Sequence, residues 1–285
     1  LKVYKKILVA TDGSQYCEGA IREAINMAKT YTSQIYAMSV IEINPEVIAE
    51  PGALPILEKM EKERGKYLEG IKERLAKENI SCEIILREGE ETDRFIIEEA
   101  DKRGAGLIVM GRRGKTGLMR LLMGSVTARV IAHTPCPVLV VPRASSIKLK
   151  GIVIATDGSK YSEAAAREAL NLIKCCASTC TLNVIAVVRK DATKERIQIA
   201  KDAIKEIKQD AEKENIQVDA LLATGKVHES IHESIVEYAR EKDADIIVMG
   251  SHGRTGIKRL LMGSVTERVI GHTDRAVLVV KGEKQ

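Results

Sequence analysis

The sequence predicts an α/β protein built as two tandem, doubly wound, parallel five-stranded sheets, and three observations carry that expectation. Short apolar runs alternate with amphipathic stretches along the whole chain, the pattern of parallel strands with helices packed on both faces. A strand that ends in Ala-Thr-Asp-Gly-Ser occurs twice, at 7–14 and 152–159. A glycine-rich stretch also occurs twice, with Gly111, Gly114, Gly124 and Ser125 matched by Gly250, Gly253, Gly263 and Ser264. At 285 residues the chain has room for two ordinary domains, and the repeat divides it into 1–144 and 145–285.

Residues 5–10 read as a buried strand closed by the 11–14 turn, with Ser14 as the N-cap of the helix that follows. Ile21, Ala24, Ile25 and Ala28 then fall at helical spacing and make one apolar face. A second strand covers 35–41. Three prolines and a glycine make 44–55 a loop or lid. A long charged helix is expected over 57–79, a strand over 82–86, a helix over 92–102 and a strand over 107–110. The glycine stretch leads into a helix over 126–133 and a last strand over 138–141. The segment 142–150 reads as a linker, after which the pattern restarts. Asp12 to Gly111 spans 99 residues and Asp157 to Gly250 only 93, because the second half lacks the proline-rich segment.

Composition limits the function. Apolar residues make up 45% and charged residues 30%, with one Phe and no Trp, so the cores must be aliphatic. The formal charge of +5 is spread evenly, with 22 basic and 20 acidic residues over 1–145 and 23 and 20 over the rest. No basic block favours a nucleic-acid partner. Cys17, Cys82, Cys136, Cys175, Cys176 and Cys180 fall at unmatched places in the two halves, unlike a disulfide framework. No apolar run has the length of a membrane span or a signal core, so no membrane partner and a cytoplasmic location are expected.

The repeated stretch is where chemistry is expected. Parallel sheets bind ligands beyond the carboxyl ends of their strands, where strand order reverses. Glycines there allow positive φ and let backbone N–H groups reach a phosphate, while Ser125 heads a helix whose dipole favours an anion. Arg112, Arg113 and Lys115 add positive charge, and Asp12 is placed to accept hydrogen bonds from a ribose. Arg112 and Arg113 stand where the second copy has Ser251 and His252, so tighter binding is expected at the first copy. Two better-known loops do not fit. Gly114-Lys115-Thr116 looks like the end of a Walker A motif, but Val109 occupies the place of its first glycine, and no GxGxxG follows either first strand.

With the ATDGS turn, the G-x2-G-x9-G-[ST] motif and a final V-L-V-V strand in both halves, the chain resembles the universal stress protein family in its tandem form. The resemblance covers nearly all of the sequence, and the long motif is that of the ATP-binding members. It implies a Rossmann-like, adenine nucleotide alpha hydrolase-like fold and an adenine-nucleotide-binding regulatory protein of the stress response that takes ATP or AMP. Carried over, the phosphate loop is Gly111, Arg113, Gly114, Gly124, Ser125 and Val126, and its second copy is Gly250, His252, Gly253, Gly263, Ser264 and Val265. Asp12 and Asp157 match the position near ribose and adenine, and backbone near Val40 and Val187 contacts the base. The resemblance also implies pairing of the last strands, 138–141 with 276–280, as an intramolecular pseudo-dimer, and leaves open a homodimer of two chains.

Other chemical signals compete with this reading. An enzyme, a slow ATPase or phosphotransferase using the same loop with Mg²⁺, is the alternative, and a scaffold with vestigial sites is the third class. His228-Glu229-Ser230-Ile231-His232 spells HExxH, but no third zinc ligand follows, and a solvated helix face with Ile231 and Ile235 turned inward is the expectation. No catalytic or metal-binding residue is assigned. His133 and His272 recur near helix ends, where a cation suits the dipole.

Overall fold

The computed structural model describes residues 4–43, 46, 52–114, 123–174, 180–224, 230–254 and 262–282. In the first half these form β1 (Lys6–Ala10), α1 (Glu18–Tyr31), β2 (Gln34–Glu42), α2 (Ala53–Lys77), β3 (Cys82–Gly89), α3 (Thr92–Arg103), β4 (Leu107–Gly111), α4 (Ser125–His133) and β5 (Val138–Val141). The second half repeats the order with β6 (Gly151–Thr156), α5 (Lys160–Ile173), β7 (Thr181–Val188), α6 (Lys194–Lys213) and β8 (Val218–Thr224). It closes with α7 (Ile231–Glu241), β9 (Ile246–Gly250), α8 (Ser264–His272) and β10 (Ala276–Val280).

Each half is a parallel sheet, and the two sheets merge into one 10-stranded sheet of order β3-β2-β1-β4-β5-β10-β9-β6-β7-β8. The junction is antiparallel, with Val140 opposite Val277 and Val138 opposite Val279. Both junction strands are short runs of buried aliphatic residues, and each satisfies the unpaired edge that the other would leave. β1 pairs with β2 on one side and β4 on the other, so strand order reverses beside β1, as it does beside β6.

The period of two along the strands sends Ile7, Val9, Leu107 and Val109 to one face of the sheet, and Leu8, Ile108 and Met110 to the other. Buried residues of α1, α2, α5 and α6 cover the first face, and those of α3, α4, α7 and α8 cover the second. Leu68, Ile71 and Leu75 recur at helical spacing and give the otherwise charged α2 one fully buried stripe. Glu99 breaks the apolar pattern of α3. It is buried and receives hydrogen bonds from Arg87 and Arg103, the arrangement that a buried carboxylate requires.

Local expectations are corrected in three places. α2 starts at Ala53, so Pro55 lies in a first helical turn, where its missing N–H is not needed. The lid expected over 44–55 otherwise lies largely outside the described residues. β3 runs to Gly89, past the expected end at 86, because its pairing with β2 continues to Glu42. Ser14 precedes a short 3-10 turn and makes no side-chain cap, whereas Ser159 accepts a hydrogen bond from Ser162 N at 3.2 Å.

The connection between the halves is anchored at several points. Ile147 N donates to Glu23 of α1 at 3.0 Å, and Lys150 N donates to Asp245 beside β9 at 2.6 Å. Two cations reach across the junction. Arg112 Nη1 donates to the carbonyls of Ile270, Gly271 and Thr273 at 3.2, 3.3 and 2.9 Å, at the C-terminus of α8. Lys281 Nζ donates to Ala132 O at the C-terminus of α4. These ends carry unsatisfied carbonyls and the negative pole of the helix dipole, which is what a cation satisfies.

Candidate functional site

At the end of β1 the chain must turn sharply, and the side chains of Thr11 and Asp12 stabilise that turn. Gly13 N donates to Thr11 Oγ1 at 3.1 Å and Ser14 N to Asp12 Oδ1 at 2.9 Å. The turn at β6 is the same, with Gly158 N on Thr156 Oγ1 at 3.3 Å and Ser159 N on Asp157 Oδ1 at 3.1 Å. Gly13 and Gly158 have φ of +73° and +72°, a left-handed conformation that favours glycine. Cys17 Sγ donates to Asp12 Oδ1 at 3.2 Å, and burial, then the Asp12 charge, pushes its thiol up to about 11.

The second oxygen of each aspartate faces the glycine stretch. A Cβ on Gly114 would lie 2.6 Å from Asp12 Oδ2, and one on Gly253 would lie 2.7 Å from Asp157 Oδ2. Gly111 and Gly250 lie against the backbone that opens the first helix of each half. Their Cβ atoms would fall 3.0 Å from Tyr16 O and 2.7 Å from the carbonyl carbon of Tyr161. None of the six motif glycines has a positive φ, so close approach explains these positions rather than the expected backbone freedom. Gly124 differs: the nearest atom to its Cβ would be 3.6 Å away, an ordinary contact.

The helices that follow the glycine stretches, α4 and α8, begin at Ser125 and Ser264. Gly124 N donates to Arg112 O at 2.9 Å and Gly263 N to Ser251 O at 2.8 Å. Thr127 Oγ1 and Thr266 Oγ1 then donate to Gly111 O and Gly250 O at 3.1 and 2.9 Å, fastening the first turns of α4 and α8 to the ends of β4 and β9. Neither helix has a side-chain cap, so the N–H groups of both first turns stay available to an anion. The intervening 115–122 and 255–261, with Lys115, lie outside the described residues.

Two cavities result. One, of about 330 Å³, is lined by Asp12, Val40, Gly111, Arg113, Gly114, Gly124, Ser125 and Val126. The other, of about 540 Å³, is lined by Asp157, Val187, Gly250, His252, Gly253, Gly263, Ser264 and Val265. Each half thus gathers every residue assigned to it. The linings also include residues that the motifs did not indicate: Met60 and Arg64 of α2 in the first cavity, and Arg189, Arg196 and Arg254 in the second. Arg113 Nε and Arg64 Nη1 are buried without a hydrogen-bond partner among the described residues. Such atoms are costly unless an acceptor arrives, so the first cavity fits an anionic ligand.

Arg112 is a correction. Its guanidinium caps α8 across the junction and does not line the first cavity, which removes half of the charge advantage expected there. The second cavity is larger, and its lining holds Arg196, Arg254 and Arg189, the last paired with Asp191 at 3.0 Å, so Arg112 gives the first copy no charge advantage.

α8 is seated on α7 through a histidine pair. The ring centroids of His232 and His272 lie 4.8 Å apart, where the first half has an Asp93–Arg129 ion pair at 2.6 Å. Burial, then the His272 charge, holds His232 below the ordinary imidazole range; Arg268 acts in the same sense and Glu233 opposes it. A depressed folded-state pKa means that the contribution is present above the unfolded value and is lost as pH falls through the folded one. Thermal melts between about pH 7.5 and about pH 5.5 are expected to lose midpoint on acidification. The His232→Gln variant should have the shallower slope, and identical slopes would exclude a role for His232. Of the HExxH stretch, His228 and Glu229 lie outside the described residues, and α7 begins at Ile231, behind a capping box of Ser230 and Glu233. Among the described residues no three metal-ligating side chains cluster. Cys175 and Cys176 also fall outside them, and no described helix is long and apolar enough to cross a membrane.

Comparison with known proteins agrees with the repeat. The model of the universal stress protein family matches residues 3–142 and again 148–281. A universal stress protein of Methanocaldococcus jannaschii is 39% identical over 143 residues, covering 50% of this chain and 84% of that protein. One of Mycolicibacterium smegmatis is 27% identical over 300 residues and covers 96% of each chain. The crystal structure of a universal stress protein from Archaeoglobus fulgidus shares the fold, with a TM-score of 0.76 and 22% identity over 98% of this chain and 97% of that one. With two matches that together span nearly its whole length, the chain belongs to the universal stress protein family.

Proposed function

We propose that each half holds one adenine nucleotide, ATP or AMP, and that occupancy sets the state of a stress-response regulator. The phosphates lie at the N-termini of α4 and α8. Asp12 and Asp157 accept from the ribose, and backbone near Val40 and Val187 meets the base. One observation carries this reading: each crevice brings an uncapped helix start, α4 or α8, together with an acidic turn, Asp12 or Asp157, and arginine side chains in one lining. An uncapped, partly enclosed helix start beside orphaned guanidinium nitrogens is suited to an anion, and the adjacent acidic turn to a sugar.

Mass spectrometry of ligand released by denaturing the purified chain is expected to find an adenine nucleotide. Stripped protein that gains no thermal stability from ATP, ADP or AMP would remove the proposal. Rapid ATP turnover that depends on Mg²⁺ and is lost in Gly124→Asp would make the same site that of an ATPase or phosphotransferase.

A further inference from the structure

Arg64 belongs to neither repeated motif. It sits within the charged sequence of α2, yet its side chain lies over the Asp12–Gly13 turn: a Cβ on Gly13 would be 2.6 Å from Arg64 Nη1 and 3.3 Å from Cζ. Nη1 is buried without a hydrogen-bond partner among the described residues, and so is Nε of Arg113 in the lining of the same cavity. A guanidinium only donates, so both atoms need acceptors, and planar donor pairs suit phosphate oxygens. Two carboxylates line the cavity as well. Asp12 already takes bonds from Ser14 and Cys17, and Glu42 stands at the end of β2. The second half is built differently here. Ile199 Cγ2 fills the corresponding place, 2.6 Å from a Cβ on Gly158, and the cation of that wall is Arg196, three residues earlier on α6.

We propose that Arg64 is a phosphate-binding residue of the first cavity. With Arg113 it holds the phosphate chain from α2, a wall to which the repeated motifs contribute nothing, so the first cavity discriminates between ligands by phosphate number through this residue. This rests on the nucleotide reading of the site. The rule behind it is electrostatic: a desolvated guanidinium gains little from a neutral nucleoside and much from each phosphate oxygen that it meets.

Calorimetric titration of the full chain tests this, with Gly263→Asp silencing the second cavity and adenosine, AMP, ADP, ATP and inorganic tripolyphosphate as probes. Arg64→Met is expected to weaken ATP and tripolyphosphate by about 10- to 100-fold while changing adenosine by less than about 3-fold. Arg64→Lys should keep part of the difference, which separates charge from packing. In the Gly124→Asp background, which reads the second cavity, Arg64→Met should change nothing. Equal losses for adenosine and ATP, or no loss for ATP, would overturn the role of Arg64. Tripolyphosphate binding that depends on Arg64 without binding of any adenine compound would keep that role and reject the nucleotide reading. Absence of binding by every probe would reject both.

Discussion

Gly124→Asp is expected to empty the first site and leave the second intact, so that titration of the chain with ATP falls from two equivalents to one. The variant should fold, because a Cβ at this N-cap meets nothing closer than 3.6 Å. Its carboxylate would itself cap the first turn of α4 and place a negative charge where the phosphate belongs. Losing about two charge-assisted hydrogen bonds corresponds to at least about 100-fold in affinity. Gly263→Asp should empty the second site, with some added strain because its Cβ would lie 3.3 Å from His252 Cα, and Gly124→Ala should lose less. Two equivalents remaining in Gly124→Asp would mean that α4 does not bind the ligand.

Gly250→Ala is expected to act on stability instead, by about 2–3 kcal/mol. Its Cβ would lie 2.7 Å from the carbonyl carbon of Tyr161 and 2.9 Å from Ser162 N. Both atoms are backbone at the start of α5, so neither can move without displacing the helix from β9. Gly111→Ala should be milder, since its closest contact would be Tyr16 O at 3.0 Å. Urea unfolding followed by circular dichroism measures the difference as a shift in midpoint at constant slope. An unshifted midpoint for Gly250→Ala would show that the strand end and the helix are free to separate.

Much of this was legible in the sequence, for definable reasons. Strand and helix order followed from periodicity, and Gly111, Gly114, Gly124 and Ser125 followed from a motif that begins at a strand end and closes at a helix start, whereas Val40 and Val126 came with the family resemblance. What stayed hidden involves residues brought together from distant segments. Arg64 sits in a helix whose charges otherwise face solvent, and nothing in its local pattern distinguishes it from Lys62 or Lys66. Arg112 was misread because its neighbours Gly111 and Arg113 face the cavity, whereas its own partners lie 158 to 161 residues away. Glu99 is likewise held by Arg87, 12 residues away on β3. The pairing of β5 with β10 was expected from the family resemblance alone and is what the strand register shows, since no local pattern encodes an edge-to-edge meeting.

The antiparallel junction of β5 and β10 gives the two halves a freedom that separate subunits lack. Identical copies related by a twofold axis must present every substitution twice, once on each side of the axis. Here Arg112 grips α8 while Ser251 stands in the equivalent place, and Lys281 grips α4 opposite a Pro142 that has no amine to offer. Covalent connection also holds the halves at an effective concentration on the order of millimolar, so dilution does not part them. Each cavity can therefore drift in sequence while its neighbour keeps the original chemistry.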